Sequence, residues 1–145
     1  MEKLNDIIFY HMDKAIKTYR QFAQKQLKKA GLNLTIDQWL VLKAINDSRN
    51  LSQKDIAATV FKDEASVTRI IELLVSKGLL IRNFHATDRR KIDLQVTKTT
   101  KDLLKKVHGI TLKNRATALN GLEPDHIEIA KKVLISISAN CAGNS

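Results

Sequence analysis

The stretch that most restricts how this chain can fold is residues 62–97, KDEASVTRIIELLVSKGLLIRNFHATDRRKIDLQVT. Asp63 is a strong helix N-cap, because a short side-chain oxygen accepts from the free amides of the first turn. Val67, Ile70, Ile71 and Leu74 then recur at helical spacing and form one apolar stripe. Gly78 suits the left-handed residue that ends a helix, with Leu79 folding back onto Leu74. A helix over 64–77 is predicted. Its opposite face carries Ala65, Arg69, Glu72 and Ser76, flanked by Ser66 and Thr68. Small residues there allow a close backbone approach, and a single long cation can reach past them.

Ile92, Leu94 and Val96 alternate with Asp93, Gln95 and Thr97, the pattern of a half-buried strand. Leu79 to Phe84 is its expected partner, with the inward face left open by the sequence. Between the two lies HATDRRKI, which puts Arg89, Arg90 and Lys91 at a hairpin tip. Cations at such a tip reach phosphates or a minor groove. Asp88 can hold one of the arginines by a charge-assisted hydrogen bond. Taken singly, each of these is an ordinary solvated face or turn. A basic tip directly behind a small-residue helix is more specific, because a helix that enters a major groove needs such a face. Arg takes guanine in bidentate fashion, and Ser and Thr reach phosphates or base edges.

In Ser66-Val67-Thr68-Arg69, Lys77-Gly78-Leu79, and Asp88-x-Arg90 followed by Val96-Thr97, the chain resembles the MarR family of bacterial transcription regulators. The resemblance extends over nearly the whole chain in length and helix order, and the wing pattern around Asp88 and Arg90 is its most specific part. Val96 stands where leucine is usual, and Lys98, Thr99 and Thr100 stand where the family has a glycine. The resemblance implies a small effector, often aromatic or phenolic, bound between a dimer body and a DNA-binding lobe. It places Arg82 at a position that can touch such a ligand. His11 and Trp39 could line the same crevice, or be plain packing residues.

The remaining chain reads as scaffold. A long helix is predicted over 5–30, striped by Ile8, Met12, Ala15, Tyr19 and Phe22, widened by Ile16, Ala23, Leu27 and Ala30, and stopped by Gly31. Its cations, Arg20 among them, are expected to be mostly solvated. Thr35 and Gln38 make a capping box for a second helix, with Leu34 placed to staple onto Trp39. Ser52 and Asp55 repeat the device for a short third helix ending near Thr59 or Val60. Phe61 and Lys62 then turn into the helix at 64–77. Two helices joined this way form a helix-turn-helix. Gln53, Lys54 and Lys62 are expected near the DNA backbone.

Helix returns over 98–120. Glu123-Pro124 opens a last helix on which Ile127, Ala130, Leu134, Ile137 and Cys141 make a short coiled-coil-like seam. Cys141 reads as a small buried apolar residue in that seam.

The expected fold is mainly α with a small β-wing, a winged helix-turn-helix with N- and C-terminal dimerisation helices. Residues 1–34 and 98–145 form the helical dimerisation region, and 35–97 the DNA-binding lobe of one continuous fold. The expected function is a sequence-specific, homodimeric DNA-binding regulator, a repressor acting on a pseudo-palindromic operator and released by a small aromatic or phenolic ligand. Its partners are double-stranded DNA, a second copy and that effector, with no membrane. The DNA contacts expected are Gln53, Lys54, Lys62, Ser66, Thr68, Arg69, Arg89, Arg90 and Lys91, with Asp88 positioning the wing. The effector contacts are His11, Trp39 and Arg82. The alternative is a winged-helix protein–protein interaction module without DNA binding, which would need no paired arginines beside an aspartate.

Composition agrees without deciding. Hydrophobic residues at 43% of 145 are enough for a core, which argues against disorder. The net charge of +10 suggests an acidic partner. Nine cations against five anions in 1–50, eight against six in 51–97, and eight against four in 98–145 spread that excess along the chain. The local pattern therefore carries the argument. No apolar run is long enough for a membrane span and no secretory signal is read, so a cytoplasmic protein is expected. A single cysteine excludes a disulfide scaffold. No zinc, catalytic-triad or phosphate-loop spacing occurs, so no catalytic residue, metal or cofactor is expected, and no enzyme.

Overall fold

The structure, a computed structural model, describes residues 1–48, 50–84 and 92–143. The described elements run in the order of a 3-10 turn at Leu4–Asp6, α1 (Ile8–Lys29), α2 (Ile36–Asp47), α3 (Gln53–Val60), α4 (Glu64–Ser76), β1 (Leu80–Phe84), β2 (Ile92–Val96), α5 (Lys98–Ala118) and α6 (Pro124–Ala142). This is the mainly helical fold with a two-stranded wing that the sequence predicts. The chain divides into two compact units, Met1–Asn114 and Arg115–Ser145.

In the first unit the ends of each helix are set by local chemistry. Gln38 N donates to Thr35 Oγ1 and Thr35 N to Gln38 Oε1, both at 3.1 Å, which closes the predicted capping box of α2. Ser52 and Asp55 close the same box for α3, at 3.0 and 3.1 Å. Asp63 caps α4 through Ser66 N at 2.7 Å. At the other end of α4, Gly78 has φ +76°. Leu79 N bonds Leu74 O at 2.9 Å, and Gly78 N bonds Val75 O at 3.0 Å, a Schellman stop.

These helices bury one contiguous core. Val41, Leu42 and Ile45 of α2, Ile56, Ala57 and Val60 of α3, Val67, Ile71 and Leu74 of α4, Leu80 of β1, and Leu104 and Val107 of α5 are all buried. The stripe that runs along α4 in sequence is thus the face that seats the helix, and Ala65, Arg69, Glu72 and Ser76 opposite it are exposed.

The wing strands are antiparallel, with Leu80 opposite Val96 and Arg82 opposite Leu94. Leu80 is buried and Ile81 is 46% exposed, which settles the inward face of β1. Strand alternation puts Arg82 on the same side as Leu80. The wing is tied to α5 by threonines. Thr97 Oγ1 bonds Gly78 O at 3.2 Å and accepts from Thr100 N at 3.3 Å, while the Thr100 hydroxyl donates to Leu79 O at 2.6 Å. Hydroxyl bonds thus hold the junction between the wing and α5.

Two boundaries differ from those expected. The helix predicted over 5–30 begins as a 3-10 turn, then breaks at Ile7, whose φ of −94° and ψ of 118° are extended. The break follows the bond from Lys3 N to the Asp6 carboxylate at 3.3 Å, which closes the short turn on itself. The helix predicted over 98–120 ends at Ala118 and runs unbroken through Gly109.

The second unit holds the end of α5 and all of α6. Pro124 occupies the first turn of α6, as its fixed φ favours. No residue of α6 is buried. Of the predicted seam, Ile127 and Ile137 are half-buried and Leu134 is 45% exposed. Cys141, expected to be buried, is exposed. A single chain has no partner surface to cover such a seam.

Candidate nucleic-acid interface

Alpha4 presents a hydrogen-bonded ladder on its outer face. Asp63 sits at the N-cap. The Ser66 hydroxyl donates to Asp63 Oδ2 at 2.9 Å, and Arg69 Nη2 donates to Ser66 Oγ at 3.2 Å. The expected N-cap and two expected DNA contacts are therefore joined one turn after another, as i,i+3 neighbours on a helix can be. The bonds from the Ser66 amide and hydroxyl hold the Asp63 carboxyl below the usual carboxylate range, with Arg69 adding a smaller Coulombic share. Arg69 is exposed and uses one of its N–H groups on Ser66, so the rest of its planar fork remains available. Ala65 is exposed beside it and adds no bulk.

Thr68 lies between α4 and α3. Its hydroxyl is 3.0 Å from Gln53 Oε1 and 2.9 Å from Glu64 O. Gln53 and Thr68, both predicted contacts, thus brace one another across the helix pair. Lys54 is exposed in the first turn of α3.

The turn before α4 is a second Schellman-like stop, with Lys62 N bonded to Ala57 O at 2.9 Å. Its left-handed residue is Phe61, with φ 60° and ψ 41°. A phenylalanine in that conformation is unusual, because Cβ crowds the following carbonyl oxygen. The ring is 93% exposed. Lys62, next in the chain, is partly exposed and pairs with Asp37 Oδ2 at 3.2 Å.

Asp37 also receives Arg20. The Arg20 Nη2 to Asp37 Oδ1 distance is 2.5 Å. Arg20 is therefore a partner of α2 rather than one of the solvated cations of α1. Partial burial raises the Asp37 pKa, but the hydrogen bonds and charges of Lys62 and Arg20 outweigh it and leave the carboxyl below its ordinary value. Gln24 completes the junction of α1 and α2. Its Nε2 donates to Leu34 O at 3.1 Å and its Oε1 accepts from Ile36 N at 3.0 Å. Arg20, Gln21, Gln24, Thr35, Ile36 and Asp37 line an open cleft of about 230 Å³ here.

None of the three expected effector contacts lines that cleft. His11 is exposed at the start of α1, with Nε2 2.6 Å from Asn5 O. Trp39 is half-buried against the core from α2. Arg82 lies on β1. Arg20, Gln24 and Asp37 were not singled out from sequence. Asp88, Arg89, Arg90 and Lys91 lie outside the described residues, so the expected wing tip has no structural account.

Residues 30–91 match the family model of the MarR family. That span contains α2, α3, α4 and β1, the elements just described.

Over this span the chain is similar to the MarR family.

Solved structures match almost the entire chain. One is BpsR of Bordetella bronchiseptica, 22% identical, matching over 95% of this chain and 97% of that one with a TM-score of 0.85. A second is CouR of Rhodococcus jostii, 20% identical over 94% and 95% of the two chains, TM-score 0.81. A MarR-family regulator from a Rhodococcus species is 19% identical over 94% and 96%, TM-score 0.82. At these identities the likeness is one of fold. The BpsR structure concerns regulation of DNA binding by 6-hydroxynicotinic acid, and CouR was solved with p-coumaroyl-CoA bound.

The described residues hold no group of three or more His, Cys, Asp or Glu side chains arranged for a metal. No helix among them is long and apolar enough to cross a membrane.

Proposed function

We propose that this chain is a MarR-family regulator, a sequence-specific DNA-binding protein that acts as a homodimeric repressor. The observation that carries the reading is the division of α4 into a buried face of Val67, Ile71 and Leu74 and an outer ladder of Asp63, Ser66 and Arg69. A helix seated by one face and offering small residues plus one arginine on the other fits a major groove. Ser66, Thr68 and Arg69 would meet bases or adjacent phosphates. Gln53, Lys54 and Lys62 would meet backbone, and Arg89, Arg90 and Lys91, steadied by Asp88, would grip phosphate or minor groove from the wing.

Dimerisation is supported by apolar side chains that the single chain leaves uncovered. Ile8, Phe9 and Ile16 of α1 are exposed, as are Ile129, Val133, Leu134 and Ile135 of α6. Exposed apolar residues in such number mark an interaction surface. Two copies related by a twofold axis would place two reading helices one helical turn of DNA apart, about 10 base pairs centre to centre.

A small aromatic effector is supported by the two relatives whose structures concern 6-hydroxynicotinic acid and p-coumaroyl-CoA. His11, Trp39 and Arg82 are the proposed contacts in this chain. A ligand that binds one arrangement of the two heads better than the other would shift operator affinity by that difference.

Nuclease footprinting on the DNA upstream of the protein's own gene tests the reading. Two protected half-sites about one helical turn apart are expected. A single protected patch, or uniform protection indifferent to sequence, would contradict it.

A further inference from the structure

One carboxylate holds two cations at the base of the reading helix. Asp37 Oδ1 takes Arg20 from α1 at 2.5 Å, and Asp37 Oδ2 takes Lys62 from the turn before α4 at 3.2 Å. All three side chains are partly exposed, between 31% and 42%. The cluster therefore sits at the protein surface, next to the N-cap of the helix proposed to enter DNA. It carries one positive charge more than it needs.

Lys62 alone of the three can leave at little cost. Its backbone is fixed by the bond from its amide to Ala57 O, but its ammonium rides on a flexible aliphatic stem. When it swings away, Arg20 still neutralises Asp37, so no carboxylate is stranded. Its position directly before Asp63 is also where phosphates flank a helix entering the major groove.

Resting on the DNA-binding reading above, we infer that Asp37 is a positioning residue that sequesters Lys62 in the free protein and yields it to a DNA phosphate on binding, with Arg20 as the counter-cation that makes the exchange inexpensive. Asp37 thereby lowers affinity for every duplex by the strength of one ion pair. It also links α1 to the reading turn through Arg20, so the hold on Lys62 depends on where Arg20 sits.

Two substitutions at Asp37 and Arg20 should act in opposite directions through the same lysine. Asp37→Asn frees Lys62 and should tighten binding about two- to fivefold, the range of an exposed ion pair. Arg20→Gln leaves Asp37 to Lys62 alone and should weaken binding by a similar factor. Lys62→Gln should reduce the slope of log affinity against log salt by about 0.9, the loss of one phosphate contact.

The experiment is a fluorescence-anisotropy titration of the full chain against its own upstream duplex and a scrambled one. It is run at several salt concentrations for wild type, the three single variants, and Asp37→Asn and Arg20→Gln each in the Lys62→Gln background. Thermal melts confirm that each variant folds. If Asp37→Asn does not fold, the Arg20→Gln pair tests the proposal by itself. The expected result is opposite shifts that vanish once Lys62 is gone. An unchanged salt slope in Lys62→Gln, or shifts of equal size with and without Lys62, would overturn it, because the charges would then act on DNA directly. A wild type that binds both duplexes equally would overturn the DNA-binding reading as well, and that outcome is visible before any variant is compared.

Discussion

The Thr100 hydroxyl donates to the carbonyl oxygen of Leu79 across 2.6 Å, joining the first turn of α5 to the turn that ends α4. Thr100 is fully buried. The bond thus fixes α4 relative to α5 at a point where water cannot substitute.

Thr100→Val keeps the shape and removes the donor. The Leu79 carbonyl then keeps only the longer bond from Thr97 N at 3.4 Å, and the loss of one hydrogen bond costs about 0.5–1.5 kcal/mol. Urea unfolding should show a lower midpoint at unchanged slope. An unchanged midpoint would mean that the bond from Thr97 N suffices and that the junction does not depend on this hydroxyl.

Phe61 points the other way. Its left-handed backbone is strained and its ring contributes almost no burial. Phe61→Asn places a residue that tolerates this conformation and should stabilise the fold by about 1 kcal/mol. Equilibrium unfolding is the check, and a loss of stability would show that the exposed ring makes a contact worth more than the strain.

Arg69→Ala should leave stability within about 0.5 kcal/mol, since the side chain is exposed. It should cost about 1–3 kcal/mol in operator affinity and relax preference at one base pair. A uniform loss across all sequences would make Arg69 a phosphate contact instead.

Asp63 gives the protein a defined acid response. Its folded-state pKa lies below the ordinary 3.8, so its contribution is fully present above that value and is lost as pH falls through the lower folded value. Asp37 has the same sign. Asp63→Asn retains a good N-cap without the charge. The variant should match wild type near neutrality and lose less stability than wild type below about pH 4. Identical acid unfolding curves would remove Asp63 from the account.

Leu134→Asp puts a charge into the exposed apolar face of α6. Sedimentation should shift from dimer to monomer, with a steep loss of operator affinity, because one reading helix binds far more weakly than two held together. A variant that stays dimeric would move the interface elsewhere.

The helices were legible because their ends are written in local chemistry. Thr35 with Gln38, Ser52 with Asp55, and Asp63 with Ser66 each act within one turn, and Gly78 ends α4 by its backbone freedom. The ladder from Asp63 to Arg69 follows from i,i+3 spacing on α4 once the buried stripe is known. The Asp37 cluster was not legible. Its members come from α1, α2 and the turn before α4, and charged residues brought together by tertiary packing leave no periodic mark. Phe61 was hidden for a different reason, since left-handed turns favour glycine or asparagine. The inward face of β1 needed Leu80 and Ile81 to be seen against the core, because LLIR offers apolar residues to both sides.

The most direct test of the central claim is anisotropy of a labelled duplex from the protein's own upstream region, titrated at two salt concentrations beside a scrambled duplex. The account predicts tight binding that weakens as salt rises and that prefers the native sequence at both concentrations. Weak binding with no preference between the two duplexes would contradict it and would leave the winged helix with a protein partner in place of DNA.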